Sequence, residues 1–149
     1  MYNLYSKTVN QLMIERIMKL SRDSKAIWGK MTASGMFFHC SQAIRQGLGE
    51  IKLKRSIAGV LFGSIAKKQM LSEKPFKKGL PTDKSYIPSG TYDFEEQRSI
   101  LIGKVKELAV REQESISKDE HPFFGKLSSG EWNTLTWKHL EHHLSQFGV

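Results

Sequence analysis

Helical periodicity recurs along this chain and strand periodicity does not, which places the expected fold in the all-α class. Five segments carry apolar residues at three- and four-residue intervals, and no stretch of useful length alternates apolar with polar. The first, about residues 7–21, offers Val9, Leu12, Met13, Ile17 and Leu20 as contacts. The second opens at Thr32, whose hydroxyl can cap a helix, and ends near Gly47, a residue suited to the position just past a helix. Its apolar positions are Ala33, Met36, Phe37, Cys40, Ala43 and Ile44. The third, about residues 55–70, is apolar around much of its circumference through Ile57, Val60, Leu61, Phe62 and Ile65. That pattern predicts a largely buried helix. The fourth starts at Asp93 and runs to about Gln113, with Phe94, Leu101, Val105 and Leu108 on one stripe. The last opens with a capping box, Ser128 and Glu131, carries Trp132, Leu135, Leu140, Leu144 and Phe147, and stops at Gly148. A long irregular stretch, about residues 71–91, separates the third helix from the fourth and reads as a functional cover or a connector.

A chain of 149 residues is long enough for one domain, residues 1–149, with a core of its own. No apolar run approaches the length of a membrane span, and the opening Met1-Tyr2-Asn3-Leu4-Tyr5 lacks the blocks of a secretory signal. Cys40 stands alone, so no disulfide forms within the chain, and a cytoplasmic location is the expectation. The formal charge of +8 concentrates between Lys52 and Lys84. No zinc-finger, RNP or helix-turn-helix pattern accompanies it, so nucleic acid is not the expected partner. A solvated basic face is the simpler reading, and attraction of an anionic substrate or partner is the alternative.

Chemistry concentrates at the C-terminus, in Lys138-His139-Leu140-Glu141-His142-His143-Leu144. His139 and His143 are four apart and share one face of a helix, the spacing by which one helix offers two imidazoles to one metal ion. With Trp132 at zero and 100° per residue, Leu140, Leu144 and Phe147 fall near ~60–120°. His143 lies near ~20° and His139 near ~340°, at the edge of that stripe, while His142 falls near ~280°, toward solvent or behind the ligands. His39 occupies a similar apolar edge on the second helix and is the candidate third ligand. The bland alternatives are an edge histidine that is only hydrogen-bonded, and histidines favoured in protonated form by the helix C-terminus. Cys40 points about 100° away from His39 and reads as core. His121, before a proline, reads as ordering a turn.

Met36-Phe37-Phe38-His39 on an early helix, followed on the last by His139-Leu140-Glu141-His142-His143, resembles the DinB-like/YfiT-type metal-binding superfamily. The stretch His121-Pro122-Phe123-Phe124-Gly125-Lys126-Leu127, then Glu131-Trp132 and His139 through Gly148, is similar to an uncharacterised bacterial DinB-like subfamily, a domain of unknown function. The resemblance implies a four-helix bundle in up-down-down-up order, with an additional short helix or long loop. It implies a divalent metal held by His39, His139 and His143, and a homodimer; three imidazoles suit Zn, Ni, Cu or Fe, with Zn or Ni expected foremost. Characterised members include thiol-dependent transferases, which implies a low-molecular-weight thiol as cosubstrate. Ser145 stands where a basic residue belongs in that subfamily pattern.

The function expected on these grounds is metal-dependent activation of a thiol or water toward a small-molecule substrate. Tyr86 and Tyr92, in or beside the long loop, are candidate proton donors. The competing class is a non-catalytic, stress-associated protein that uses its basic face for an anionic partner.

Overall fold

A computed structural model describes residues 3–111 and 119–149. Among the described residues there are five α-helices: α1 (Lys7–Met18), α2 (Ala33–Gly47), α3 (Ile57–Met70), α4 (Phe94–Arg111) and α5 (Ser129–Gln146). The expected end of α4 at Gln113 lies outside the described residues. Among the described residues there is no strand, only an isolated bridge between His121 and Gly125. Among the described residues no helix is long and apolar enough to cross a membrane.

Caps explain most of the boundaries. Thr32, Ser56 and Ser128 each accept a backbone N–H from three residues on, which satisfies an otherwise orphaned donor. Glu131 completes the box by accepting from the Ser128 N–H at 2.8 Å. The expected glycine exit from α2 falls two residues late. Gly47 is still helical, and Gly49 takes the left-handed conformation, φ 76°. Gly47 serves packing instead, since a Cβ there would lie 3.3 Å from the Trp132 ring.

Contacts along the helices fix their directions. Leu4 and Tyr5, at the start of α1, bond to Asn133 and Ser129 at the start of α5, and Arg16 meets Glu141 further along both. α1 and α5 are therefore parallel. The Asn10 amide donates to the Val105 carbonyl, while Arg98 reaches Leu20, so α4 runs against α1. His39 meets His139 while Gly47 meets Trp132, so α2 runs against α5. The four helices form an up-down-down-up bundle. Its core is built from Met13, Ile17, Met36, Phe37, Cys40, Ile44, Leu101, Val105, Leu140 and Leu144. α2 and α4 are parallel neighbours, so the link between them must return along the length of the bundle. α3 and the long irregular stretch make that return.

Two expectations about burial are overturned. Leu12, taken as a core contact of α1, is 56% exposed, and Asn10 and Ile14 are buried instead. α3 was expected to be largely buried, yet Ile57, Val60, Leu61, Phe62 and Ile65 are 60–81% exposed. Its covered face is made by Gly59 and Gly63. A Cβ on either would approach the backbone of Pro122 or Phe123 within 2.1–2.6 Å. The missing side chains let α3 lie directly on the residue 121–125 turn. The other end is held by Lys138, whose ammonium donates to the carbonyls of Met70 and Ser72 at 2.6 Å each.

Candidate metal centre

α2 and α5 carry all three candidate ligands, and their antiparallel contact brings them together. His39 lies mid-way along α2, and His139 and His143 lie one turn apart on α5. The ring centroids stand 4.7 Å apart for His39–His139, 4.7 Å for His39–His143 and 4.8 Å for His139–His143. One ring nitrogen from each lies within 4.8 Å of the others. His39 and His143 are buried, and His139 keeps partial contact with solvent.

Neighbouring carbonyls decide which nitrogen each ring presents. His39 Nδ1 lies 3.0 Å from the Tyr86 main-chain carbonyl, which can only accept, so the proton sits on Nδ1 and the lone pair on Nε2. His143 Nδ1 lies 2.8 Å from the Gln146 side-chain carbonyl, with the same consequence. The Gln146 amide in turn donates to the Trp28 carbonyl at 2.7 Å, which sets which end of that side chain faces His143. His39 Nε2 and His139 Nε2 stand 2.8 Å apart. As His39 offers only a lone pair there, either His139 donates its Nε2 proton or a cation takes the proton's place. Histidine ligands held by carbonyl partners on the far nitrogen are the usual way a protein orients a metal site. The donor set fits a divalent ion such as zinc, leaving open coordination positions.

Electrostatics reinforces the neutral state. Burial lowers the pKa of His39, His139 and His143 below the ordinary histidine value; repulsion from neighbouring histidines, His142 included, adds to the shift, and the Tyr86 and Gln146 hydrogen bonds offset only part of it at His39 and His143. The C-terminal end of α5 was expected to favour protonated imidazoles. Desolvation of the cluster outweighs that helix-end field. Three neutral lone pairs are what a metal requires of its ligands.

The remaining candidates take other places. His142 is half-buried outside the cluster, with its ring 5.9 Å from Trp28, 6.1 Å from Phe76 and 5.0 Å from His143. Lys78 lies over the same Trp28 ring at 4.2 Å. Cys40 is fully buried, its thiol pKa is pushed up by burial, and its sulfur contacts Met36. His121 accepts from the N–H groups of Phe123 and Phe124 through Nδ1 and orders the turn, as expected. Tyr86 belongs to the site through its carbonyl, while its hydroxyl donates to Gln46. Tyr92 stacks on Phe38 at 4.6 Å. Ser145 donates to Glu141, which pairs with Arg16.

Sequence reasoning missed Tyr86 as a support for His39 and Gln146 as a support for His143. Gln146 had a readable signal, three residues after His143 on the same helix face. Tyr86 had none, because the long loop brings it back across 47 residues. No curated protein and no solved structure matches the chain. A family model matches residues 11–148, from within α1 to just past α5, and on that match the chain belongs to the family described as Protein of unknown function (DUF1569).

Proposed function

We propose that this protein binds one divalent metal ion, Zn or Ni, through Nε2 of His39, His139 and His143, and activates a thiol or water for reaction with a small-molecule substrate. The observation that carries the reading is the convergence of three buried or half-buried imidazoles, two of them fixed by carbonyl partners. The up-down-down-up order, with ligands on the second and last bundle helices, supports placing the family within the DinB-like/YfiT-type superfamily. A cytoplasmic location and a low-molecular-weight thiol cosubstrate belong to the same proposal.

A bound ion would supply Lewis acidity, lowering the pKa of a thiol or water that reaches it. The chain's residues supply the rest. Tyr86 and Gln146 hold the ligand rings in one orientation, so little reorganisation accompanies binding. Trp28, Phe76 and His142 make an aromatic wall beside His143, with Lys78 at its edge. That wall suits an apolar substrate body with an anionic group.

Elemental analysis of protein purified without a metal-affinity tag tests the reading. About one equivalent of a transition metal per chain is expected, lost in His143→Ala. A chain that neither carries such a metal nor takes one up on titration would overturn it. In cobalt-substituted protein, excess thiol should generate a sulfur-to-metal charge-transfer band. A spectrum unmoved by thiol would remove thiol activation and leave the metal. The non-catalytic alternative requires an anionic partner whose affinity falls steeply with salt.

A further inference from the structure

α3 joins two features that the histidine cluster does not use, a bare apolar surface and the basic segment of the chain. Gly59 and Gly63 seat its inner face on the residue 121–125 turn. Both of its ends are tied down as well. The Ser56 N–H donates to the Pro122 carbonyl at 3.0 Å, and Lys138 holds the carbonyls of Met70 and Ser72. α3 therefore lies along the surface of the bundle. Its outward residues are apolar. At 100° per residue from Ile57, Val60 falls at ~300°, Leu61 at ~40°, Ile65 at ~80° and Phe62 at ~140°. These five exposed side chains cover an arc of about 200°.

The charges around this arc have one sign. No Asp or Glu stands between Glu50 and Glu73. Within that interval Lys52, Lys54 and Arg55 precede the apolar row, and Lys67 and Lys68 follow it. Lys74, Lys77 and Lys78 come next in the chain, against Glu73 alone. Three of the cations take carboxylates from other segments: Lys52 from Asp119 at 3.3 Å, Arg55 from Glu120 at 2.8 Å and Lys67 from Glu131 at 2.8 Å. Among the described residues no carboxylate pairs with Lys54, Lys68, Lys74 or Lys77, and all four are exposed. Lys68 falls at ~20°, within the apolar arc itself and just past Ile65. A basic segment around an outward apolar helix is the pattern of a membrane-surface helix.

We infer that α3 docks the protein on an anionic phospholipid surface. The helix lies in the plane of the headgroups, Ile57, Leu61 and Ile65 enter the acyl boundary, and the lysines at its two ends meet lipid phosphates. With 14 residues it is about 21 Å long, too short to cross a hydrocarbon core of about 30 Å. Lying flat satisfies both of its features, because a lipid interface takes apolar side chains and cations together. A second copy of α3 is a poor occupant. Crossing antiparallel, it would set Lys54 and Arg55 of one chain beside Lys67 and Lys68 of the other, with no acid on either helix. Nucleic acid would meet the lysines and leave the apolar arc without a partner. A rigid protein face covers only part of a 200° arc, whereas headgroups close around it. Nothing here depends on the histidine cluster, so failure of the metal reading leaves the inference standing.

Co-sedimentation of the full chain with vesicles tests it. The wild type should pellet with vesicles of phosphatidylcholine containing about 30% phosphatidylglycerol and stay in solution with phosphatidylcholine alone. Binding should weaken as salt rises from about 0.1 to 0.5 M. Leu61→Gln and Ile65→Gln change exposed side chains without changing charge, so each should keep the wild-type far-UV spectrum. Each should weaken binding at least about ten-fold through lost insertion. Lys54→Gln with Lys68→Gln should weaken it roughly 20-fold, about five-fold per cation. Val110→Gln, at an exposed residue on α4, should change nothing. A wild type that ignores anionic vesicles overturns the inference. Binding that survives Leu61→Gln and Ile65→Gln together also overturns it, because the lysines alone would then make the contact. So does equal binding to both kinds of vesicle, or a vesicle-free oligomer that Leu61→Gln dissociates, which would make the arc a protein contact.

Discussion

Gln146 ties the histidine cluster to the segment before α2, since its carbonyl accepts from His143 and its amide donates to Trp28. Gln146→Leu would leave both partners without it and free the His143 ring to turn. Metal affinity should fall about 10–100-fold, the range for groups that orient a ligand from behind. His143→Ala should abolish tight binding, while His142→Ala should stay within about ten-fold. Competition with a chromophoric chelator reads all three, and equal losses at positions 142 and 143 would sink the assignment of faces. The pair on α5 was legible because four-residue spacing and helical phase are local properties. His39 was legible only as a candidate, from its apolar-edge position. The Tyr86 carbonyl was not legible at all, because a main-chain acceptor delivered by a loop leaves no mark in side-chain pattern.

α3 separates what periodicity reports from what it does not. An all-round apolar helix predicts burial only when something is available to cover it, and among the described residues nothing covers Ile57, Leu61 and Ile65. The better signal was the pair Gly59 and Gly63, four apart on one side, which marks the face that lies on another backbone. Gly63→Ala should therefore be costly. Its Cβ would sit 2.1 Å from the Phe123 carbonyl oxygen, and the turn or α3 must move. A loss of about 1–3 kcal/mol is expected from such overpacking. Gly103→Ala is the matched control, in α4 with nothing within 4 Å of the new atom. It should stabilise by about 0.5–1 kcal/mol through helix propensity. Urea unfolding of the two variants should move the midpoint in opposite directions. A Gly63→Ala chain as stable as the wild type would mean that α3 does not seat on the turn as described.

At the scale of the molecule, helix count and most boundaries were legible from caps and periodicity, but helix direction was not. It is set by contacts between residues far apart in sequence, such as Leu4 with Asn133 and Asn10 with Val105. The folded bundle also changes how the chain responds to acid, because its buried histidines resist protonation. Burial lowers His121 to about 4, with nearby Asp83 acting in the opposite direction. In the unfolded chain the same ring titrates at its ordinary value near 6.5. As pH falls through 6.5 the unfolded state binds a proton that the folded state refuses, so stability declines from there toward about pH 4 and then levels. This one ring contributes up to about 3 kcal/mol across that window. His39, His139 and His143 are shifted in the same direction and add to the slope when no metal occupies them. Carboxylates with lowered pKa, such as Glu131 and Glu141, contribute only nearer their own unfolded value, so the interval from pH 6.5 to 5 isolates the histidines. Urea unfolding in the presence of a chelator should show stability falling across that interval with more than one proton taken up on unfolding. His121→Asn keeps an acceptor for the Phe123 and Phe124 N–H groups and removes the titrating ring. Its profile should be shallower by close to one proton, whereas a wild-type stability that stays flat from pH 7 to 5 would show that the histidines are not buried in neutral form.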